Sequence, residues 1–247
     1  MFGGNMKKAA FALLSVLCST LISLYSTPST TFWTPCTMDI QAFRKIHFTY
    51  DSYFTIGNKG TLSGGEAFPT DLGLTAGVLP FKKFNMEIGF DWLEPYDYPL
   101  FFNFKFGVPE SALFTDAPMM GIGTFNIGTE AGVTDQYVTH LMLGKTLPKN
   151  LGRLTISGYI GNSATLKDSN RNVENTGFMV AYDKYLYKDK LLFAGDWASG
   201  KNVIGGGGFG VYYYLTPDIS ILMGPVWFND KGINGKWKWT SQLDANF

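Results

Sequence analysis

The sequence has few of the side chains from which most catalytic and metal sites are built. Its 247 residues include only two histidines, His47 and His140, and two cysteines. His47 shares a predicted strand face with Asp51, but four residues of strand would separate their Cα atoms by roughly 13 Å, too far for a direct hydrogen bond. Two histidines without a cysteine pair are too few for the common kinds of zinc site. We therefore expect no catalytic residue, no metal and no cofactor.

Long apolar runs are absent after Leu24. The run before it, from Ala9 to about Leu24, follows Lys7 and Lys8 and is shorter than the ~20 residues that a spanning helix needs. A short apolar run after positive charges is typical of a secretory signal peptide. We place this segment at residues 1–26, with an uncertain cleavage point.

A second cysteine is missing from the chain that such cleavage would leave. Cys18 lies inside the apolar run, so Cys36 would be the lone cysteine and no intramolecular disulfide could form. A buried or inert thiol is the commoner outcome for a single cysteine. Pairing between two molecules is the alternative.

An excess of either charge is also missing. The chain has 20 basic and 20 acidic side chains, and removal of Lys7 and Lys8 reduces the basic ones to 18. A nearly neutral chain gives no electrostatic reason to bind nucleic acid. We expect no nucleic-acid partner.

Alternation with a period of two is abundant, and it separates the two faces of a strand. It is clearest over residues 69–109, where large apolar residues such as Phe90 and Trp92 stand opposite polar ones. Three consecutive segments there share a polar face: Asp71, Gly73, Thr75 and Gly77; Asn85, Glu87, Gly89 and Asp91; Asn103, Lys105 and Gly107. A soluble sandwich would also alternate, but it would have to bury nearly all of this aromatic surface.

Weaker alternation predicts further strands on both sides of this region. The first begins at Ile46, and others lie near 153–160, 176–183, 190–199, 207–215 and 218–228. Segments near 118–128 and 136–146 are ambiguous, because apolar residues occupy both faces. With a final strand that ends at Phe247, the count is about twelve.

The last stretch, Lys236 to Phe247, alternates up to the carboxyl terminus and ends in an aromatic residue. It resembles the closing strand of bacterial outer-membrane β-barrels, whose terminal Phe serves as an assembly signal. The resemblance implies an all-β fold, a transmembrane antiparallel up-and-down β-barrel, in the outer membrane of Gram-negative bacteria. It further implies that outer-membrane lipid and the barrel insertion machinery are partners, with Phe247 as the residue that the machinery reads.

The lengths of the links between strands agree with a barrel whose two termini lie on one side, as an even strand count requires. Alternate links are mostly short: 79–83, 109–118, 147–151, 184–189 and 216–218. The others include the longer segments 57–68, 162–175 and 199–206, which are rich in Gly, Asn and Ser. We place one barrel domain at about 37–247.

Charged residues on the polar faces would line the lumen of such a barrel. They are Asp71, Glu87, Asp91, Lys105, Arg153, Asp183, Asp196, Lys236 and Lys238. They could pair across a narrow lumen and close it, or line a water-filled path and set its ion selectivity. We favour a passive, porin-like channel for small hydrophilic solutes or ions. A non-conducting structural barrel and, less favoured, an enzyme at the rim are the alternatives.

Overall fold

The computed structural model describes residues 30–56, 69–187 and 190–247, and within them twelve antiparallel strands close into a barrel. The strands are β1 (Ile46–Phe54), β2 (Thr70–Gly77), β3 (Asn85–Glu94), β4 (Leu100–Val108), β5 (Met119–Gly128), β6 (Asp135–Thr146), β7 (Arg153–Ile160), β8 (Thr176–Tyr187), β9 (Leu191–Ala198), β10 (Gly206–Thr216), β11 (Ile219–Phe228) and β12 (Lys238–Asn246). Each strand pairs with its neighbours in sequence, and β1 closes against β12. The prediction of an up-and-down barrel of about twelve strands is confirmed. The predicted signal peptide, residues 1–26, lies outside the described residues.

The closing pair shows how the final stretch is used. β12 pairs with β1 over eight residues, from His47 opposite Asn246 to Phe54 opposite Trp239. In β12 the polar residues Thr240 and Gln242 are buried inside, whereas Leu243 faces out. The two faces of this strand are therefore those predicted from its alternation.

The two ambiguous segments are strands β5 and β6, and their mixed pattern arises because both faces of these strands carry apolar residues. Met119, Val138 and Met142 are buried on the inner face, whereas Ile122, Leu141 and Leu143 are exposed on the outer face. The pairing of β5 with β6 also shifts register between Phe125 and Ile127, where Asn126 has a positive φ of 54°.

The ends of the barrel differ in their links. We call the end where β1 begins and β12 ends the near end, and the opposite end the far end. The near-end link from β10 to β11 is only 217–218, whereas the far-end link from β7 to β8 is 161–175. The short helix α1 (Lys231–Asn234) lies in the far-end link before β12. The predicted link 184–189 is wrong at its start, because β8 continues to Tyr187 through a register shift. The rest of that link, 188–189, and the whole predicted link 57–68 lie outside the described residues.

The outer surface of the barrel is apolar. Large side chains exposed on the outward faces of the strands include Ile88, Phe90, Trp92, Phe102, Leu141, Ile156, Phe178, Phe209, Tyr213 and Met223. No helix among the described residues combines the length and hydropathy needed to cross a membrane.

Candidate functional site: a belt and a cavity inside the barrel

The segment before β1, residues 30–42, lies inside the barrel and follows its inner wall; we call it the belt. It leaves the near end beside β2, where Phe43 bridges Gly77. Its side chains and backbone then contact β3, β4, β6, β7, β9 and β10 in turn, and it ends against β12 and β1. The belt was not predicted from the sequence, and the first residues of the belt precede the predicted domain start at 37.

An ion pair of the barrel wall holds the near part of the belt. Lys105 on β4 lies 3.2 Å from Glu87 on β3, and both side chains are almost fully buried. Glu87 accepts a 2.6 Å hydrogen bond from the backbone N–H of Gln41, and Lys105 donates one to the carbonyl oxygen of Asp39. Two of the predicted lumen charges therefore bind peptide groups of the belt.

Arg153 holds the next part of the belt by its side chain. Its guanidinium makes two hydrogen bonds of 2.8 and 2.7 Å to the Asp39 carboxylate, and a third of 2.8 Å to Asp183 on β8. Such a two-pronged pair is stronger and more directional than a single contact. Burial alone would raise the pKa of Asp39, but the charge and hydrogen bonds of Arg153 outweigh it and hold that pKa below its usual range.

Asp196 on β9 anchors the far part of the belt. Its carboxylate accepts hydrogen bonds from the backbone N–H groups of Phe32, Trp33 and Thr34, at 2.8–3.0 Å, and from the Thr34 hydroxyl. A carboxylate that accepts several backbone N–H groups satisfies donors that water cannot reach. Opposite, the Gln242 amide donates to the carbonyl oxygen of Phe32.

Inward glycines make room for the belt. The ring of Phe32 lies where a side chain at Gly208 or Gly210 would be, since a Cβ at Gly208 would come within 2.2 Å of it. Gly144 leaves space for Met38 in the same way, and the backbone of the belt passes directly over Gly77. These glycines lie on the inner face because the belt occupies the volume that larger side chains would fill.

Behind the belt, the wall from β5 to β11 is mostly apolar; we call this the filled arc. One buried cluster joins Phe32 of the belt to Leu192, Ala194, Tyr212, Tyr214, Leu222, Val226 and Phe228. Another joins Cys36 to Val138, Tyr159, Leu166, Met179, Ala181, Ala198 and Ile204. Cys36 is fully buried, and this burial, with the nearby charge of Asp196, raises the pKa of its thiol well above the usual value.

The remaining wall, from β12 through β1 to β4, is polar; we call it the polar arc. His47 lies 3.4 Å from the Asp244 carboxylate, and its Nδ1 lies 2.8 Å from the Asn246 side-chain oxygen. From the sequence, Asp51 was considered as a partner of His47 and was expected to be too distant. The structure instead places Asp244, on the last strand, beside His47. Sequence reasoning could not identify it without the register of β1 against β12.

A cavity of about 210 Å³ lies between the polar arc and the belt. Three aspartates of the polar arc, Asp51, Asp71 and Asp91, line it, as do Glu87 and Lys105. Aromatic residues lining it are Phe32, Trp33, Tyr53, Tyr96, Phe101, Phe104 and Phe125. It thus combines an acidic wall with aromatic surface.

The other predicted lumen residues lie at different places. Lys238 is buried on the inner face of β12, whereas Lys236 precedes that strand and is exposed. Phe247 follows β12, exchanges backbone hydrogen bonds with Ile46 and is 70% exposed. His140 is buried, with its Nδ1 3.2 Å from the Ser157 hydroxyl.

Among the described residues, no three His, Cys, Asp or Glu side chains form a group that could hold a metal ion.

The barrel is similar to solved porins. It superposes on the KdgM porin with a TM-score of 0.52 at 7% sequence identity, over 82% of this chain and 99% of that one. The same values describe the KdgM porin in complex with disordered oligogalacturonate. The NanC porin matches with a TM-score of 0.49 at 11% identity, over 82% and 98%. No protein-family model matches the chain, and no curated protein matches it in sequence. The fold of this chain is that of outer-membrane porins.

Proposed function

We propose that this protein is a passive, porin-like channel of the bacterial outer membrane that conducts small hydrophilic solutes or ions. The observation that carries the proposal is the cavity inside a closed barrel, lined by Asp51, Asp71 and Asp91. The apolar outer face fits a lipid environment, and charged groups on the inner face are what a water-filled path requires. The similarity to porins supports the fold on which this proposal rests.

The second candidate is a non-conducting structural barrel, and the belt favours it. Residues 30–42 occupy the lumen over the whole of the filled arc, and Arg153 and Asp196 fasten them there. A barrel whose interior is filled by its own chain need not conduct. The two candidates therefore differ in whether the space left beside the polar arc is continuous from end to end.

Planar-bilayer recording separates the two candidates when the purified intact protein is compared with a variant that lacks residues 30–42. We expect stable conductance steps from the intact protein and larger steps from the variant. Steps from the variant alone would show that the belt closes the barrel. A folded intact protein without steps, together with unchanged solute uptake in a deletion strain, would contradict the channel.

We also propose that Phe247 is read by the barrel insertion machinery. Its ring is exposed, and only its backbone takes part in the closing strand pair. Deletion of Phe247 should lower the amount of protein inserted in cells, whereas refolding into detergent should change little. Normal insertion of the truncated chain would contradict the proposal.

A further inference from the structure

The cavity beside the polar arc reaches the far end of the barrel but not the near end. Toward the far end it is lined by Leu93 and Asn126, which are half-buried, and by Tyr96, which is 40% exposed. The lining residues nearest the near end are all almost fully buried: His47, Thr75, Glu87 and Lys105. In the described part of the chain, the space beside the polar arc therefore stops short of the near end.

Three residues of the belt lie where that space stops. The carbonyl oxygens of Gln41 and Ala42 lie against the inner face of β2, and Ile40 packs on β4, where a Cβ at Gly107 would come within 2.7 Å of its Cδ1. Gln41 is almost fully buried, whereas Ala42 is exposed at the near end. Residues 40–42, which we call the strap, thus separate the cavity from the solvent at the near end.

The strap has less apolar contact than the rest of the belt. Its buried cluster consists of Ile40, Met119 and Met142, with Met38 packed against them. The other two clusters that hold the belt contain nine and eight buried residues. Unbranched methionine side chains adapt to changes in packing, and a segment with few buried apolar contacts opens locally while the rest of the fold stays intact.

One buried ion pair fastens the strap to the wall. Glu87 accepts the backbone N–H of Gln41 at 2.6 Å, and Lys105, 3.2 Å from Glu87, donates to the carbonyl oxygen of Asp39 just before the strap. Both charges are removed from water in this arrangement, and the cost of removing them offsets much of their attraction. When the strap swings out, water from the near end solvates both side chains. The pair therefore closes the strap without locking it.

We propose that residues 40–42 are a gate at the near end of the channel, latched by Glu87 and Lys105. In the closed arrangement, which the structure shows, the cavity communicates with the far end only. In the open arrangement it is continuous with the near end as well. The inference rests on the proposed channel and names what regulates its conduction. It differs from a barrel filled by its belt, because three residues move while Arg153 and Asp196 keep the remainder of the belt in place.

Labelling of one cysteine from each end tests the gate without requiring conduction. Asn103→Cys, in a chain with Cys18→Ala and Cys36→Ser, places a single thiol on the wall of the cavity, where Asn103 is half-buried. The protein is reconstituted in vesicles that enclose a protein thiol, which quenches any reagent that crosses. A small membrane-impermeant methanethiosulfonate is added outside. The exposed positions Thr115→Cys at the near end and Asp97→Cys at the far end report which end faces the reagent.

The thiol at position 103 should react roughly tenfold faster from the far end than from the near end, as a gate closed by 1.4 kcal/mol implies. Glu87→Gln leaves Lys105 buried without its carboxylate in the closed arrangement only. It should therefore raise the near-end rate severalfold and leave the far-end rate unchanged. Glu110→Gln, which breaks a partly exposed ion pair in a near-end link, is the matched control and should change neither rate.

Ile40→Ala tests the strap itself and leaves every strand of the barrel unchanged. Loss of the contact with Gly107 should also raise the near-end rate severalfold. Each variant is first checked for the gel-mobility change of a folded barrel. Equal rates from both ends in the folded protein, no reaction from either end, or a near-end rate that neither Glu87→Gln nor Ile40→Ala raises would overturn the gate.

Conductance recorded from the same variants separates the gate from the channel. A latched channel should be open for a larger fraction of the time in Glu87→Gln than in Glu110→Gln. Conductance together with equal labelling from both ends would leave the channel and remove the gate. Labelling that follows the predicted pattern, without conductance in any variant, would leave the gate and remove the channel.

Discussion

The filled arc and the polar arc differ in what satisfies their buried polar groups. In the filled arc, Arg153 and Asp196 bind the belt, so these two charges have partners that belong to the same chain. In the polar arc, Asp51 and Asp71 lie directly opposite each other on two paired strands and line the cavity. The first arrangement is that of a folded core, and the second leaves space beside polar groups. One barrel wall therefore serves both purposes.

The contrast predicts that the largest loss of stability will follow from Asp196→Ala. Three buried backbone N–H groups would lose their acceptor, at about 1–3 kcal/mol for each unsatisfied donor, so we expect a total of about 4 kcal/mol. The belt should then detach from the wall. Urea unfolding in lipid vesicles measures the free energy, and protease cleavage within residues 30–42 measures the release. Asp218→Ala, in a near-end turn, is the control; equal stability of the two variants would contradict the anchoring role of Asp196.

A somewhat smaller loss should follow from Arg153→Met. The substitution leaves Asp39 and Asp183 without their shared cation. Breaking a fully buried pair costs about 3 kcal/mol or more, and because this pair is only part-buried, we expect a loss somewhat below about 3 kcal/mol. Arg153→Lys should lose less, since it keeps the charge without the planar fork. The same urea titration measures both, and a methionine variant as stable as the lysine variant would argue against the ion-pair account.

The low pKa of Asp39 adds a dependence on pH. A carboxylate whose pKa is lowered in the folded state stabilises it above the unfolded pKa of roughly 3.9, and that contribution is lost as the pH falls through the folded value. Acid should therefore loosen the belt in the wild type. In Arg153→Met this part of the pH dependence should be reduced, and an unchanged profile would be inconsistent with the assignment.

A matched pair of glycines tests the packing of the belt. A Cβ at Gly208 would overlap the ring of Phe32, whereas a Cβ at Gly158 would have no atom within 4 Å. Gly208→Ala should cost about 2 kcal/mol through overpacking, and Gly158→Ala should be neutral or slightly stabilising. Thermal unfolding followed by gel mobility compares them. Two equal effects would show that the belt does not press against this wall.

The smallest expected effect has the opposite sign. Asp71→Asn removes one of two like charges that lie directly opposite each other, and such pairs are worth roughly 0.2–1 kcal/mol. We expect a stabilisation of about 0.5 kcal/mol, measured by urea titration. Destabilisation instead would mean that the two carboxyl groups hold each other through a shared proton rather than repel each other.

The strands could be predicted from the sequence because lipid and lumen impose a period of two on every strand. The inward position of Glu87 follows from that pattern alone. The belt could not be predicted from the sequence, because residues 30–42 have no periodicity. They are held by groups that are far away in sequence, such as Asp196, which lies 164 residues beyond Phe32. The inward glycines were the available signal: they indicate missing bulk on the wall, but not what occupies the space.

Cys36, a residue of the belt, reports directly on the position of the belt. Its thiol is buried where the belt packs against the filled arc, and this burial raises the pKa of the thiol. Because the thiolate is the reactive form, a folded barrel should protect this cysteine. A chain with Cys18→Ala has Cys36 as its one thiol, and an exposed reference is Thr115→Cys in a chain that also carries Cys36→Ser.

The most direct measurement is the rate of maleimide labelling of Cys36 in the folded barrel, relative to that reference. We predict labelling roughly a hundredfold slower at Cys36, because burial both blocks access and disfavours the thiolate, with acceleration toward the reference rate in Asp196→Ala. Equal rates at Cys36 and at position 115 in the folded, otherwise unchanged protein would contradict a belt fixed inside the barrel.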